Sequence, residues 1–335
     1  MKRFPQLSRK STVASVALVL ALALLISQDS ACGQSSYDPL QAIAKAEVKD
    51  DQFTYDDRNV PLRVYLPESS EPSPVLLLSH GLGGTREACT FLGKHWASRG
   101  YAVVAMQHAG SDFDVIKNAP RAKRFQALKE AASGANAKAR NEDVKATIDF
   151  LEQQNKSGGK YAERFDLTKI GMSGHSFGAV TTQAVSGQSY GQRGQLNTDS
   201  RIDAACAFSP SPPTVGSSAG PFQKVAIPWM LMTGTKDDSP IGRNSDPNSR
   251  REVFKGLPSS GHFYELVLHG AEHSAFADAK RLRKSSRNPN HHKAIKALST
   301  AFWDAHLKQD TAARKWLDTS EAKSVLEPKD EWQRK

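Results

Sequence analysis

Lys169-Ile-Gly-Met-Ser-Gly-His-Ser-Phe-Gly-Ala-Val180 is the stretch that decides how this chain folds. A short apolar run enters Gly174-His-Ser-Phe-Gly178, and a segment able to form a helix follows. This is the G-x-S-x-G pattern, in which a serine stands on a sharp, strained strand-to-helix turn. Such a turn crowds the backbone two residues before and two after the serine, so both positions must be nearly bare. The helix N-terminus behind the serine favours negative charge, which suits an oxyanion forming there. A second copy, Gly187-Gln-Ser-Tyr-Gly191, lacks this context. Ser189 follows the polar Thr181-Thr-Gln183 and runs into Gln192-Arg-Gly-Gln195, with no strand before it and no helix after, so it reads as a glycine-rich surface loop. Ser176 is the candidate nucleophile.

The rest of the chain agrees with a strand-turn-helix unit at its centre. Residues 53–55 and 60–65 read as two short strands joined by the turn Asp56-Asp-Arg-Asn59. Pro74-Val-Leu-Leu-Leu-Ser79 is a continuous apolar run, the pattern of a strand buried on both faces of a parallel sheet. His80-Gly-Leu-Gly-Gly84 follows, then a helix over 86–98 and a strand over 101–107. An amphipathic helix is expected over 141–154, with Val144, Ile148 and Leu151 on one face. Strands over 202–208, 227–233 and 263–268 and a closing helix over 294–307 complete the alternation. The expected architecture is a single α/β domain over 50–318 with a doubly wound, mostly parallel sheet. Residues 108–136 form a long insertion, either a flap beside the site or a surface excursion. Residues 32–49 read as a linker and 319–335 as a charged, loosely held tail.

A serine hydroxyl becomes a competent nucleophile only when a base takes its proton, so a histidine and an orienting carboxylate are needed. In this architecture both follow the serine, acid first, on loops at the C-terminal edge of the sheet. Of the downstream histidines, His262 opens a strand and lies at the wrong edge, and His269 closes the same strand. His291, His292 and His306 belong to the closing helix or its start. His273, in the loop Gly270-Ala-Glu-His-Ser-Ala-Phe276, is the candidate base. The strand ending at Thr233 leads into Gly234-Thr-Lys-Asp-Asp-Ser-Pro240, which makes Asp237 the candidate acid and Asp238 the alternative. The oxyanion donors are expected to be the backbone amides of Phe177 and Leu82. Glycines at 81, 83 and 84 let the second loop approach closely.

Ser79-His-Gly-Leu-Gly-Gly84 together with Gly174-His-Ser-Phe-Gly178 resembles the α/β-hydrolase superfamily. Within it the chain is most similar to platelet-activating-factor acetylhydrolases and to bacterial proteins described as predicted dienelactone hydrolases. The similarity runs from about residue 53 to 307. It implies an α/β-hydrolase fold, Ser176 as nucleophile and the Leu82 and Phe177 amides as oxyanion donors. The acetylhydrolases place their acid after the strand that follows the elbow, where this chain has Phe208-Ser-Pro-Ser-Pro-Pro213 and no carboxylate. The acid is therefore expected one strand later, as in bacterial cutinases and polyester hydrolases. Dienelactone hydrolases use cysteine where Ser176 stands, so that description does not transfer as an activity.

The function expected is hydrolysis of carboxylic esters, of short acyl chains in particular, through an acyl-enzyme and without metal or cofactor. The alternatives are a non-catalytic binding protein of the same fold and a serine peptidase. The chain has 335 residues, 39% of them hydrophobic, 24% charged, and a formal net charge of +10. Lys2, Arg3, Arg9 and Lys10 precede an apolar run over 13–26 that is short for a membrane span. Residues 1–31 thus read as a secretory signal for a periplasmic or extracellular enzyme. Cys32 after Asp29-Ser-Ala31 offers a second ending, a lipid-anchored N-terminus. Cys89 and Cys206 could pair in an oxidising compartment, or serve as buried thiols in their apolar contexts. The expected partner is a small-molecule or polymer ester. The dispersed basic excess implies at most weak attraction to anionic surfaces, and the export signal speaks against nucleic acid. The sequence does not determine an oligomeric state.

Overall fold

The computed structural model describes Met1 and residues 37–212, 220–239, 241, 246–278 and 288–335. The chain divides into two units, Met1–Tyr37 and Asp38–Lys335, and the sheet and its helices all belong to the second. The expected signal segment and Cys32 lie outside the described residues.

Nine strands form one sheet in the order β1-β2-β4-β3-β5-β6-β7-β8-β9. They are β1 Ala46–Tyr55, β2 Arg58–Pro67, β3 Ser73–Ser79, β4 Ala102–Met106, β5 Phe165–His175, β6 Ile202–Phe208, β7 Trp229–Lys236, β8 Phe263–Glu272 and β9 Glu331–Arg334. Strands β3 to β8 run parallel, while β1, β2 and β9 pair antiparallel. The described helices are α1 Thr90–Ser98, α2 Phe113–Asn118, α3 Arg124–Ala131, α4 Gly134–Gln154, α5 Phe177–Val185, α6 Glu252–Gly256, α7 Pro289–His306 and α8 Thr311–Asp318. With helices on both faces, this is the α/β-hydrolase fold.

The apolar runs explain the layering. Val75 and Leu77 of β3 join Val104 of β4 and Val144, Ile148 and Leu151 of α4 in one core. Leu76, pointing the other way because side chains alternate along a strand, converges with Trp303 of α7 over the bare Cα of Gly171. Trp96 of α1 meets Trp303 edge-on at 5.9 Å and donates its indole N–H to the Ser299 hydroxyl. After β3 the chain adds β4 on one side and returns past β3 to add β5 on the other. That reversal opens a crevice at the C-terminal ends of β3 and β5. Register pairs Ser79 with Gly174, His175 with Phe208 and Phe208 with Met232, so the loops after β3, β5, β6 and β7 emerge along one edge.

Several expected boundaries move. Strand β1 begins at Ala46, inside the expected linker, and α4 begins at Gly134 rather than at 141. Residues 319–335 are not a loose tail. They form a 3₁₀ turn, Ser320–Val325, and strand β9 on the edge of β8. Trp332 stacks on Tyr264 at 5.6 Å, Gln333 donates to Glu265 and Glu331 pairs with Arg251. Charge at these positions is normal for an edge strand, where it discourages pairing with another chain. The insertion folds into α2 and α3, and of their side chains only Ala131 is buried. Cys89 and Cys206 are both free and buried, and burial pushes both thiols up.

Candidate active site

Ser176 stands between β5 and α5 with φ +58° and ψ −115°, a backbone conformation that non-glycine residues rarely hold. Its N–H donates to the Phe208 carbonyl at 2.9 Å, and its own carbonyl accepts from Ala179 and Val180. Both flanking glycines are required by contact. A Cβ on Gly178 would collide with the Ser79 carbonyl, and one on Gly174 with the Gly178 carbonyl. Through Gly178, the first turn of α5 therefore rests directly on the end of β3.

His273 begins a 3₁₀ turn, His273–Phe276, immediately after β8. Its Nε2 lies 2.9 Å from Ser176 Oγ and its Nδ1 lies 2.6 Å from Asp237 Oδ1. An ionised carboxylate only accepts, so the ring proton sits on Nδ1 and Nε2 is left to accept from the serine hydroxyl. Asp237 is fully buried, and its Oδ2 accepts from the Thr233 hydroxyl at 2.8 Å. The turn that aims it is closed by its N–H on the Gly234 carbonyl at 3.1 Å. Asp238, the alternative acid, is exposed.

The other expected candidates lie apart. His269 is exposed on β8, which runs on to Glu272, and His262 sits beside Arg314. His291 and His292 hydrogen-bond the carbonyls of His269 and Ala275, and His306 lies against Tyr264. Ser189 is buried rather than at the surface, in the loop after α5, with its N–H on the Pro221 carbonyl.

Leu82 lines the same cleft as Ser176, and Phe177 directly follows that serine. Phe177 is the first residue of α5, so its amide has no intrahelical acceptor. The Leu82 amide has no acceptor among the described residues. Its direction is fixed indirectly. The peptide unit that carries it also carries the Gly81 carbonyl, which accepts from His80 Nδ1 at 2.7 Å and from the Gly84 amide at 3.0 Å. In a planar trans peptide the N–H points opposite to its carbonyl, so holding one aims the other.

Two side chains that the sequence did not single out complete the centre. Arg250 is buried; its Nε donates to the Asp237 carbonyl at 2.7 Å and lies 3.1 Å from Asp237 Oδ1. Its Nη1 donates to the carbonyls of Ser209 and Pro210, in the loop after β6. Its Nη2 lies 3.3 Å from His273 Nδ1, and since both nitrogens carry protons the contact is one of charge and not a hydrogen bond. Burial lowers the pKa of Arg250, opposed by Asp237 and Asp238. His175, the variable residue of the elbow, donates from Nε2 to the His273 carbonyl at 3.0 Å. The rings of His175 and His273 are 4.7 Å apart. Burial, then the neighbouring His273, holds His175 well below the ordinary histidine range, so it is neutral.

A cleft of about 710 Å³ opens over Ser176 and His273. Its walls mix Phe113 and Ile116 from α2 with the polar Thr85, Glu87, Thr90 and Asp278. Underneath, Ile116 and Leu128 close on Gly83, whose φ of +71° suits glycine. The insertion thus forms one wall of the cleft.

Residues 57–150 match the family model described as platelet-activating factor acetylhydrolase, isoform II. The chain is also similar to the protein named Cutinase est1 from Thermobifida alba, at 21% identity over 271 residues, covering 80% of this chain and 72% of that protein. With the fold, these similarities support placing the chain in the α/β-hydrolase superfamily.

Proposed function

We propose that this chain is a serine hydrolase of carboxylic esters, acting through an acyl-enzyme at Ser176. What carries the assignment is the hydrogen-bonded line from buried Asp237 through His273 to Ser176 at the floor of an open cleft. Ser176 Oγ attacks the ester carbonyl as His273 Nε2 takes its proton. The oxyanion forms against the Leu82 and Phe177 amides. Collapse expels the alcohol, which leaves with the proton from Nε2. Water then gives a proton to the same nitrogen and attacks the acyl carbon, and the carboxylic acid departs as Ser176 Oγ is reprotonated. Asp237 keeps the imidazole in the Nδ1–H tautomer and stabilises the cation it becomes.

The preferred substrates are short acyl esters, because the insertion over 108–136 is rich in Lys, Arg and Asp rather than in Leu and Phe and so offers no long apolar lid for a hydrocarbon chain. The basic start and apolar run of residues 1–31 support export. One experiment tests both the nucleophile and the chain length. Hydrolysis of p-nitrophenyl esters from acetate to decanoate is compared for wild type, Ser176→Ala and Ser189→Ala. Expected are a maximum at butyrate or shorter, loss of about 10⁴-fold or more in Ser176→Ala, and near-wild-type rates in Ser189→Ala. Equal losses in both mutants with folding intact would remove Ser176 from its role, and a maximum at decanoate would refute the short-chain preference.

A further inference from the structure

Behind the proposed oxyanion loop lies a second, fully buried Ser-His-Asp line. Ser79 Oγ is 2.9 Å from His108 Nε2, and His108 Nδ1 is 2.8 Å from Asp143 Oδ2, with none of the three exposed to solvent. It does not form a second nucleophile. Ser79 Oγ also accepts from Arg140 Nη2 at 2.9 Å, so its proton is committed to His108. Asp143 in turn accepts from the Tyr55 hydroxyl and a bidentate Arg58. His108 fixes His80 as well, because its backbone N–H donates to His80 Nε2 at 3.0 Å. That leaves the His80 proton on Nδ1, where it holds the Gly81 carbonyl and so aims the Leu82 amide.

Arg140 joins this support to the elbow. Its guanidinium donates to Ser79 Oγ, the His80 carbonyl and Ser111 Oγ on the side of the loop. On the elbow side it donates to Thr181 Oγ1 at 3.0 Å and lies 4.7 Å above the Phe177 ring. Thr181 passes the link on to the Phe177 carbonyl. Every direct partner is neutral, and among the described residues no carboxylate lies within ion-pair distance. Burial lowers Arg140 to about 9, with Asp143 opposing, so it is still a cation at neutral pH. A fully buried cation with only neutral contacts is costly to a fold. It is useful where negative charge develops in a reaction.

We propose that Arg140 is a positioning residue for the oxyanion hole, holding the Leu82 and Phe177 amides at a common distance and supplying a positive field behind them. This rests on Ser176 being the nucleophile of an ester hydrolase. Arg140→Met removes both fork and charge, while Arg140→Lys keeps the charge without the fork. Rates are normalised to active sites titrated to completion with a fluorophosphonate, so that unfolded protein does not count. Expected in Arg140→Met is a loss of about 100-fold in kcat on p-nitrophenyl butyrate, the size found for an oxyanion donor, with KM within threefold. Inhibition by butylboronic acid, whose serine adduct is a tetrahedral anion, weakens by a similar factor. Arg140→Lys falls between. A merely structural role would lower the melting temperature and the titratable fraction but leave kcat per site and boronate affinity unchanged, and that result overturns the proposal. If Arg140→Met does not fold, Arg140→Lys and Ser79→Ala decide in the same way, each expected to lose at least fivefold in kcat per site. Ser176→Ala separates the two levels. If it remains active, the hydrolase assignment itself fails; if it is inactive while the Arg140 variants keep full kcat, only the positioning role fails.

Discussion

Replacing Asp237 with Asn tests the centre most sharply, and the structure sets the size of the effect. The usual cost of this change is about 10⁴-fold, because the amide lets the histidine take the wrong tautomer. Here the surroundings oppose that. Oδ1 faces two donors, His273 Nδ1 at 2.6 Å and Arg250 Nε at 3.1 Å, while Oδ2 faces Thr233 Oγ1, a hydroxyl that can reverse and accept. An Asn therefore has one satisfactory orientation, carbonyl toward His273 and amide toward Thr233, and the Nδ1–H tautomer survives. What is lost is the charge that stabilises the imidazolium. Two unit charges about 4 Å apart at an effective dielectric near 20 interact by about 4 kcal/mol, or about a thousandfold in rate. Arg250 also loses its carboxylate, and breaking a buried pair costs about 3–5 kcal/mol, so kcat must be referred to titrated active sites. The assay is p-nitrophenyl butyrate hydrolysis by Asp237→Asn and Asp238→Asn. The expected losses are about a thousandfold for Asp237→Asn and less than about tenfold for the exposed Asp238. The reverse order would transfer the role to Asp238. Losses below tenfold in both would place the orienting carboxylate elsewhere.

Two further outcomes rest on contacts that carry the fold and the site together. Gly178→Ala should push the end of β3 away from α5, because its methyl meets the Ser79 carbonyl and lies 2.9 Å from that of His80. The expected cost is about 1–3 kcal/mol in urea unfolding together with at least a hundredfold in kcat, and an unchanged melting temperature with full activity would contradict the close packing. Stability should also fall with acid in two stages. Burial, then Arg140, lowers His108 from 6.5 to about 4. Between those values the unfolded chain binds the extra proton, so stability is complete above 6.5 and lost as the pH falls to 4, on the order of 3 kcal/mol from this residue. For Asp143, burial raises the pKa, but Arg58, His108 and Tyr55 outweigh it and bring it from 3.8 to about 2. Its contribution is complete above 3.8 and lost as the pH falls through 2. Urea midpoints at pH 8, 6, 5 and 4 check the first stage, and a flat profile from 8 to 5 would mean that His108 is not held neutral.

The apolar run at 74–79, the elbow at 174–178 and the loop at 80–84 were legible because each is a local statement. A strand buried on both faces must be apolar throughout, and a strained turn packed against a neighbouring strand must be glycine at fixed offsets. The same holds for the candidates His273 and Asp237, since a strand end directs the next few residues to one edge of the sheet. The strand end ranks Asp237 ahead of Asp238 without excluding the second; it is the packed turn on Gly234 that buries one carboxylate and exposes the other. Arg140, Asp143 and Arg250 were not legible, because a charged residue in a sequence reads as a solvated one. What makes their burial tolerable is a set of partners from distant segments: Ser79, Thr181 and Phe177 for Arg140, and Ser209 and Asp237 for Arg250. One trace was present, in that the stripe Val144, Ile148 and Leu151 extends back by one helical turn to Arg140. Strand β9 was hidden for a related reason. Its alternation is carried by Trp332 alone among polar and charged neighbours, and Gln333 and Glu331 find their partners, Glu265 and Arg251, only once β8 lies alongside.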